Sequence, residues 1–139
     1  MRAFDGKGAG FADAWRVRTT VFCDEQGYTL EQEQDERDAT ARHVVLYRDG
    51  APVATGRYYI DDTGAAHIGR VAVVAACRRT GLGAVIVRAL EDDARAHGVE
   101  RFCLSAQCRA AGFYETLGYH AVGDTYMDGH VPHILMKKP

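Results

Sequence analysis

The chain has 139 residues, enough to bury one core and too few for two ordinary domains, so residues 1–139 read as a single unit. Apolar residues make up 47% of it and the formal net charge is -2, which fits a soluble globular protein and excludes the basic excess that general nucleic-acid binding needs. No apolar run approaches the roughly 20 residues of a membrane span, and the first eight residues lack the apolar centre of a signal peptide, so a cytoplasmic protein without a membrane partner is expected.

From Gly10 to about Cys23 the apolar residues Phe11, Trp15, Val17, Val21 and Phe22 recur at helical spacing and predict one amphipathic helix. The acidic run from Asp24 to Asp38, broken by Gly27, reads as a solvated face with room for a second short helix. His43–Arg48, the turn Asp49-Gly50 and Pro52–Ile60 predict a β-hairpin, and Ala66–Val74 extends it after a turn at Asp61–Gly64. Leu82, Val85, Ile86, Ala89, Leu90 and Ala94 mark one face of a helix that stops at His97-Gly98. Arg101–Ala106 reads as a strand, Ala110–Leu117 as a short helix closed by Gly118, and Tyr119 onward as strand broken at Asp128-Gly129. Strand, helix and strand without a tight turn imply a parallel crossover. The class is therefore mixed α/β (α+β), a mostly antiparallel twisted sheet flanked by helices and parallel at its centre.

Cys23, Cys77, Cys103 and Cys108 form no Cys-x-x-Cys pair, so no metal or dithiol chemistry is expected of them. They read as small hydrophobes or surface thiols in a reducing compartment.

The segment Ile68-Gly-Arg-Val-Ala-Val-Val-Ala-Ala-Cys-Arg-Arg-Thr-Gly-Leu-Gly83 runs an apolar strand into an Arg- and Gly-rich loop that opens a helix. Unpaired N–H groups and the positive dipole end at such a helix start suit an anion, although a helix with a flexible entry has the same local pattern. Arg78-Arg-Thr-Gly-Leu-Gly83 resembles the Gln/Arg-x-x-Gly-x-Gly/Ala signature of the GNAT superfamily of acyl-CoA N-acyltransferases. Gln107-Cys-Arg-Ala-Ala-Gly-Phe-Tyr-Glu-Thr-Leu-Gly-Tyr119 is similar to its second motif, with Gln107 where Asn is more usual. Val21–Gly27, His43, Ile68–Val73, Leu104–Gln107 and His133–Met136 together resemble the ElaA-like branch. Against that pattern the N-terminus is short and Gly-rich, so the first strand should be minimal.

The resemblance implies the GNAT fold and acetyl-CoA as co-substrate, with no metal. It implies that Arg78, Arg79, Thr80, Gly81, Leu82 and Gly83 hold the pyrophosphate, that Val71, Ala72 and Val73 pair with pantetheine, and that Gln107 bonds the pantetheine arm in place of Asn; Phe113 is a cofactor-binding candidate that reads chiefly as core. Tyr114 is the candidate general acid, since a phenol with a reference pKa of about 10 is protonated near neutral pH. The base is open among His67, close to where some superfamily members carry a catalytic glutamate, Glu25, His43 and His133; His67 also reads as a surface histidine after the turn. Glu25, Gln26, His43, Arg57, Arg70, Ser105 and His133 are candidates for the acceptor pocket, with Arg70 equally a strand-edge ion pair.

The implied activity is acetyl transfer to a primary amine of a small molecule or peptide, directly within a ternary complex. Cys108 lacks an adjacent His, so no acyl-enzyme is expected. The rival reading is a non-catalytic acyl-CoA-binding regulatory domain. A P-loop nucleotide module is disfavoured because no Lys-Ser/Thr follows the glycines. The strand edge near the C-terminus offers a surface for a homodimer, as superfamily members often form.

Overall fold

Asp49 and Gly50 both adopt positive φ, 52° and 78°, the backbone that a two-residue hairpin demands, and they join β2 (Arg42–Arg48) to β3 (Ala51–Ile60). The computed structural model describes residues 1–139. β1 (Arg2–Asp5) pairs with the far side of β2 and is only four residues long, as its Gly-rich surroundings suggest. β4 (Ala66–Val73) continues the antiparallel meander. The chain then enters α3 (Leu82–Ala96) and returns as β5 (Phe102–Gln107), parallel to β4. After α4 (Ala111–Thr116), β6 (His120–Asp128) and β7 (Val131–Lys138) complete a seven-stranded sheet of order β1-β2-β3-β4-β5-β7-β6.

The two sheet faces are covered by different helices. On one, Ile86, Val87, Leu90 and Ala94 of α3 pack on Val44, Ala54, Tyr58, Ile68, Phe102, Leu104 and Met136. The buried stripe is rotated from the expected one. Val85 is exposed, whereas Val87 and Glu91 are buried, because Glu91 accepts a 2.7 Å hydrogen bond from the Tyr119 hydroxyl and pairs with Lys138. Gly56 of β3 lies directly beneath this helix: a Cβ there would come within 2.7 Å of Ile86 Cγ2 and 2.8 Å of Leu90 Cδ1. Gly56→Ala is expected to cost about 1–3 kcal/mol through this overpacking, read by urea denaturation; unchanged stability would contradict so close an approach.

The opposite face carries α1 (Phe11–Arg18), whose Ala14 meets Val45 and Phe4 and whose Val17 meets Ala72. The expected single helix changes geometry at Thr19, and Thr19–Glu25 is π-helical. Such widened turns are rare and concentrate at functional sites.

The acidic run is a solvated face only in part: Asp24, Glu25, Glu31 and Glu36 are exposed, but Glu33 and Asp38 are not. Thr29 caps α2 (Leu30–Glu33) in a reciprocal capping box with Gln32, and Asp35 caps a 3₁₀ turn at Glu36–Ala39. Those turns carry Glu33 and Asp38 inward until they are 3% and 1% exposed. Their partners come from distant segments. Arg18 Nε lies 2.7 Å from Glu33 Oε2, Arg18 Nη1 and Arg57 Nη1 each lie 2.7 Å from Asp38 Oδ1, and Arg70 Nε lies 3.1 Å from Glu33 Oε2.

Candidate active site

β4 and β5 pair over only three positions, Ala66 with Phe102, His67 with Cys103 and Ile68 with Leu104, and then separate. The separation has a local cause. Arg57 of β3 faces Gly69 and Thr55 faces Ala72, so Gly56 alone opposes both Arg70 and Val71, a β-bulge with Arg70 at φ 51°. The side-chain alternation changes phase across it: Ala66 and Ile68 pack toward α3 before the bulge, Val71 and Val73 after it. Beyond Ile68 the β5-side edge of β4 has no strand partner, which leaves it open to an extended ligand. A cleft of about 400 Å³ opens there, lined by Phe22, Gln26 and Tyr28 from the N-terminal layer, by Arg57, Tyr59, His67, Arg70 and Val71 from the sheet, and by Leu104, Ser105, Gln107, Tyr114 and His133 from beyond the splay.

β4 leads from this cleft through a 3₁₀ turn, Ala75–Cys77, to the glycine-entered start of α3. Gly81 occupies the N-cap with φ 83°, and no atom lies within 4 Å of where its Cβ would be, so the need for glycine is conformational and the space in front is open. At Gly83 a Cβ would instead meet Phe113 Cζ at 3.2 Å. Phe113 is 37% exposed, a cover over the helix start rather than core. Arg78 is held by the protein itself, its Nη2 2.7 Å from Glu25 Oε2 and its Nε donating to Val73 O at 2.9 Å. Glu25 therefore serves as the ion-pair partner of the loop and does not line the cleft, which removes it from the candidate bases and acceptor contacts. Arg79 stands at φ 62° in the same loop, and the Thr80 hydroxyl donates to Cys77 O at 2.5 Å.

Tyr114 packs against the α3-side core, edge-on to Tyr119 at 6.0 Å, and reaches the cleft from α4. Burial alone pushes its phenol up to about 12. The proton is firmly held at neutral pH. Gln107 Nε2 donates to Gln26 Oε1 at 2.7 Å and Arg109 Nε to Gln107 Oε1 at 2.9 Å, so Gln107 ties β5 to the end of the π-helix. Ser105 and Tyr126 share a hydroxyl–hydroxyl hydrogen bond.

His67 is not a surface histidine. It stacks on Tyr59 at 5.0 Å with 9° between the rings, and burial, with the charges of Arg57 and Arg37 acting in the same direction against Asp61, lowers its pKa, so the imidazole is neutral at pH 7. His133 is 6% exposed and lines the same cleft, with Nδ1 2.9 Å from Val131 O and Nε2 3.8 Å from Asp128 Oδ2. His43 lies elsewhere: it is 1% exposed, stacks on Phe4 at 5.1 Å, contacts Asp38 O through Nε2 at 3.1 Å, and has no place in the cleft wall. Arg57 and Arg70 do line the cleft but as neutralised charges. Both pair with Asp35, at 2.6 and 3.3 Å, besides Asp38 and Glu33 respectively, so neither is a free cation for a phosphorylated acceptor.

Sequence reasoning passed over Tyr28, Glu33, Asp35, Arg37, Tyr59 and Asp128, all in the cleft wall. Tyr59 was accessible from the strand alternation, two residues after Arg57. Tyr28 was not, because its hydroxyl finds Asp128 O, 100 positions away in the chain, at 2.9 Å.

The family model for the Acetyltransferase (GNAT) domain matches residues 7–139. A Bacillus subtilis (strain 168) protein named as an acetyltransferase is 38% identical over 131 residues, which cover 90% of this chain and 86% of that protein. Escherichia coli ElaA superposes with a TM-score of 0.88 at 25% identity, over 99% of this chain and 97% of the other. An acyl-CoA N-acyltransferase from Pseudomonas aeruginosa gives 0.84 at 30% identity, over 99% and 98%. With the splayed parallel pair, the glycine-entered helix and both motifs in one continuous unit, the chain belongs to the GNAT family of acetyltransferases.

Proposed function

We propose that the protein transfers an acetyl group from acetyl-CoA directly to a primary amine of a small molecule or peptide. The observation that carries this reading is the meeting, at one splay of the sheet, of an unpaired β4 edge leading to a glycine-entered helix start and a half-buried, protonated tyrosine. Acetyl-CoA supplies the activated acyl group as a thioester. Residues 71–73 fit the pantetheine arm because their outer edge lacks a strand, and residues 78–83 fit the pyrophosphate because the first turn of a 15-residue helix has main-chain N–H groups without intrahelical partners and the space beside Gly81 is open. Arg78 stiffens that loop through Glu25 and Val73, and Arg79 adds charge beside it.

The acceptor must lose a proton. A simple alkylamine with a pKa near 10.4 is mostly protonated at pH 7, a cost of roughly 4–5 kcal/mol before attack. His67, kept neutral by burial, is the acceptor of that proton, and Tyr114 donates to the departing thiolate. Glu33, Asp35 and Asp128 in the wall balance Arg37, Arg57 and Arg70, so the cleft suits an amine without a strongly anionic substituent.

Initial rates with both substrates varied test the direct route. Intersecting double-reciprocal lines are expected; parallel lines, together with acetylated protein in the absence of amine, would contradict it.

A further inference from the structure

Three polar side chains that the reaction does not itself require meet behind His67. Cys103 lies opposite His67 in the parallel register of β4 and β5, with Sγ 3.4 Å from His67 Nδ1. On its other side Sγ is 3.4 Å from Asp61 Oδ2. Asp61 cannot turn away, because its Oδ1 accepts from Thr63 N at 2.8 Å, Thr63 Oγ1 at 2.6 Å and Ala65 N at 3.2 Å.

The direction of each hydrogen bond follows by elimination. The Thr63 hydrogen bond first, then the backbone donors, hold Asp61 down to about 2, so it is a carboxylate and only accepts. Burial and the neighbouring Asp61 push the Cys103 thiol up to about 11, so at neutral pH it carries its single proton, and that proton goes to Asp61. His67 Nδ1, facing the same sulfur, must then be the donor.

We propose that Asp61 and Cys103 are positioning residues for His67: a one-way chain, His67 Nδ1–H to Cys103 Sγ–H to Asp61 Oδ2, fixes the imidazole tautomer whose free lone pair is on Nε2. This rests on His67 as the proton acceptor. A neutral imidazole with the wrong tautomer presents an N–H where a lone pair is needed, and a third group that orients the base is the recurrent remedy. Tyr59 holds the ring plane by stacking, and Cys103 with Asp61 sets its protonation pattern.

Asp61→Asn gives the sharpest test because it is nearly isosteric. Three donors at Oδ1 oblige the amide oxygen to stay there, so the amide NH₂ faces the thiol. The thiol proton then turns to His67 Nδ1, and the tautomer reverses. Long-range ¹⁵N–¹H NMR of the intact, ¹⁵N-labelled protein is expected to show Nδ1–H at pH 8 in the parent and Nε2–H in Asp61→Asn. Cys103→Ala, which breaks the chain without reversing it, should give a mixture. In Ser-His-Asp triads the corresponding Asp→Asn change lowers kcat about 10⁴-fold through the wrong tautomer. Through an intervening thiol, kcat/KM is expected to fall about 10- to 100-fold, within the range of general-base effects.

The acid limb of the pH profile should also move to lower pH. Asp61 is the one group raising the His67 pKa, against Arg57 of β3 and Arg37 of the 3₁₀ turn; Tyr59 and Cys103 contact the ring, and Arg101 and Lys137 line the pocket on its Cys103 side.

An unchanged tautomer in Asp61→Asn, or Nε2–H in the parent, overturns the chain even if His67→Gln abolishes transfer. Full activity in His67→Gln overturns the base assignment whatever the tautomer, so the two failures are distinct. Because a potential metal-ligand atom from each of Asp61, His67 and Cys103 lies within 4.8 Å of the other two, zinc is titrated as well. One equivalent bound by the parent and lost in Cys103→Ala would make the trio a metal site and overturn the chain.

Discussion

Tyr114→Phe is expected to lower kcat about 100-fold, at the lower end of what a positioned general acid contributes, while the Kd for acetyl-CoA changes less than about threefold. The split follows from where the residue sits. The ring is anchored in the α3-side core beside Tyr119, and a phenylalanine keeps that packing. Burial alone accounts for the raised phenol pKa, so removing the hydroxyl strands no ionised partner. What is lost is the proton for the leaving thiolate. With a pKa of about 12, Tyr114 stays protonated across the working range, so the basic limb of the parent's pH profile belongs to another group. Calorimetry and steady-state rates together read the effect. A variant with unchanged kcat would assign the acid role elsewhere, and loss of acetyl-CoA binding would make Tyr114 a packing residue. A non-catalytic binding domain predicts neither change.

Arg18→Met is expected to be the most destabilising single change near the cleft, about 3–5 kcal/mol, because it removes one partner from a buried charge cluster and leaves the others uncompensated. Arg18 is 1% exposed and satisfies Glu33 and Asp38 at once, with its Nη2 also donating to Glu33 O at 3.0 Å. Chemical denaturation reads the loss; less than about 1 kcal/mol would mean that Arg57 and Arg70 carry the cluster alone.

The same cluster sets an acid dependence. For Asp35 and Asp38 burial works to raise the pKa, but hydrogen bonds and charge from Arg57 and Arg18 outweigh it and hold both below the ordinary range. Their contribution is complete above about pH 4, the unfolded value, and is lost as pH falls through their lower folded values. Burial raises Glu33, which acts in the opposite sense, its contribution present at acid pH and lost as pH rises through its raised value. Below about pH 4 the Glu33 contribution is already complete and no longer changes, so Asp35 and Asp38 predict stability declining there in the parent.

Much of the fold was legible because its signals are local. Asp49-Gly50 sets a hairpin by itself, and Gly81 before Leu82 starts a helix by itself. The bulge was not, since it exists only in the register of β4 against β3, where Gly56 opposes two residues. Nor could Glu33 and Asp38 be told from solvated acids, because the arginines that bury them come from α1, β3 and β4. The site was read unevenly for the same reason. Tyr114 and the glycine loop sit in contiguous motifs, whereas His43 and Glu25 were drawn in by neighbourhood in sequence, and the structure turns one toward Phe4 and the other toward Arg78. His67 gained its place from Tyr59 and Cys103, neither of them adjacent to it in the chain.

The most direct test of the central claim is thiol release from acetyl-CoA across a panel of polyamines, amino sugars, amino acids and peptide amines, with the products weighed by mass spectrometry. The predicted result is release that depends on the amine and yields its N-acetyl derivative. Release independent of any amine, or no acetyl-CoA binding at all by calorimetry, would contradict it.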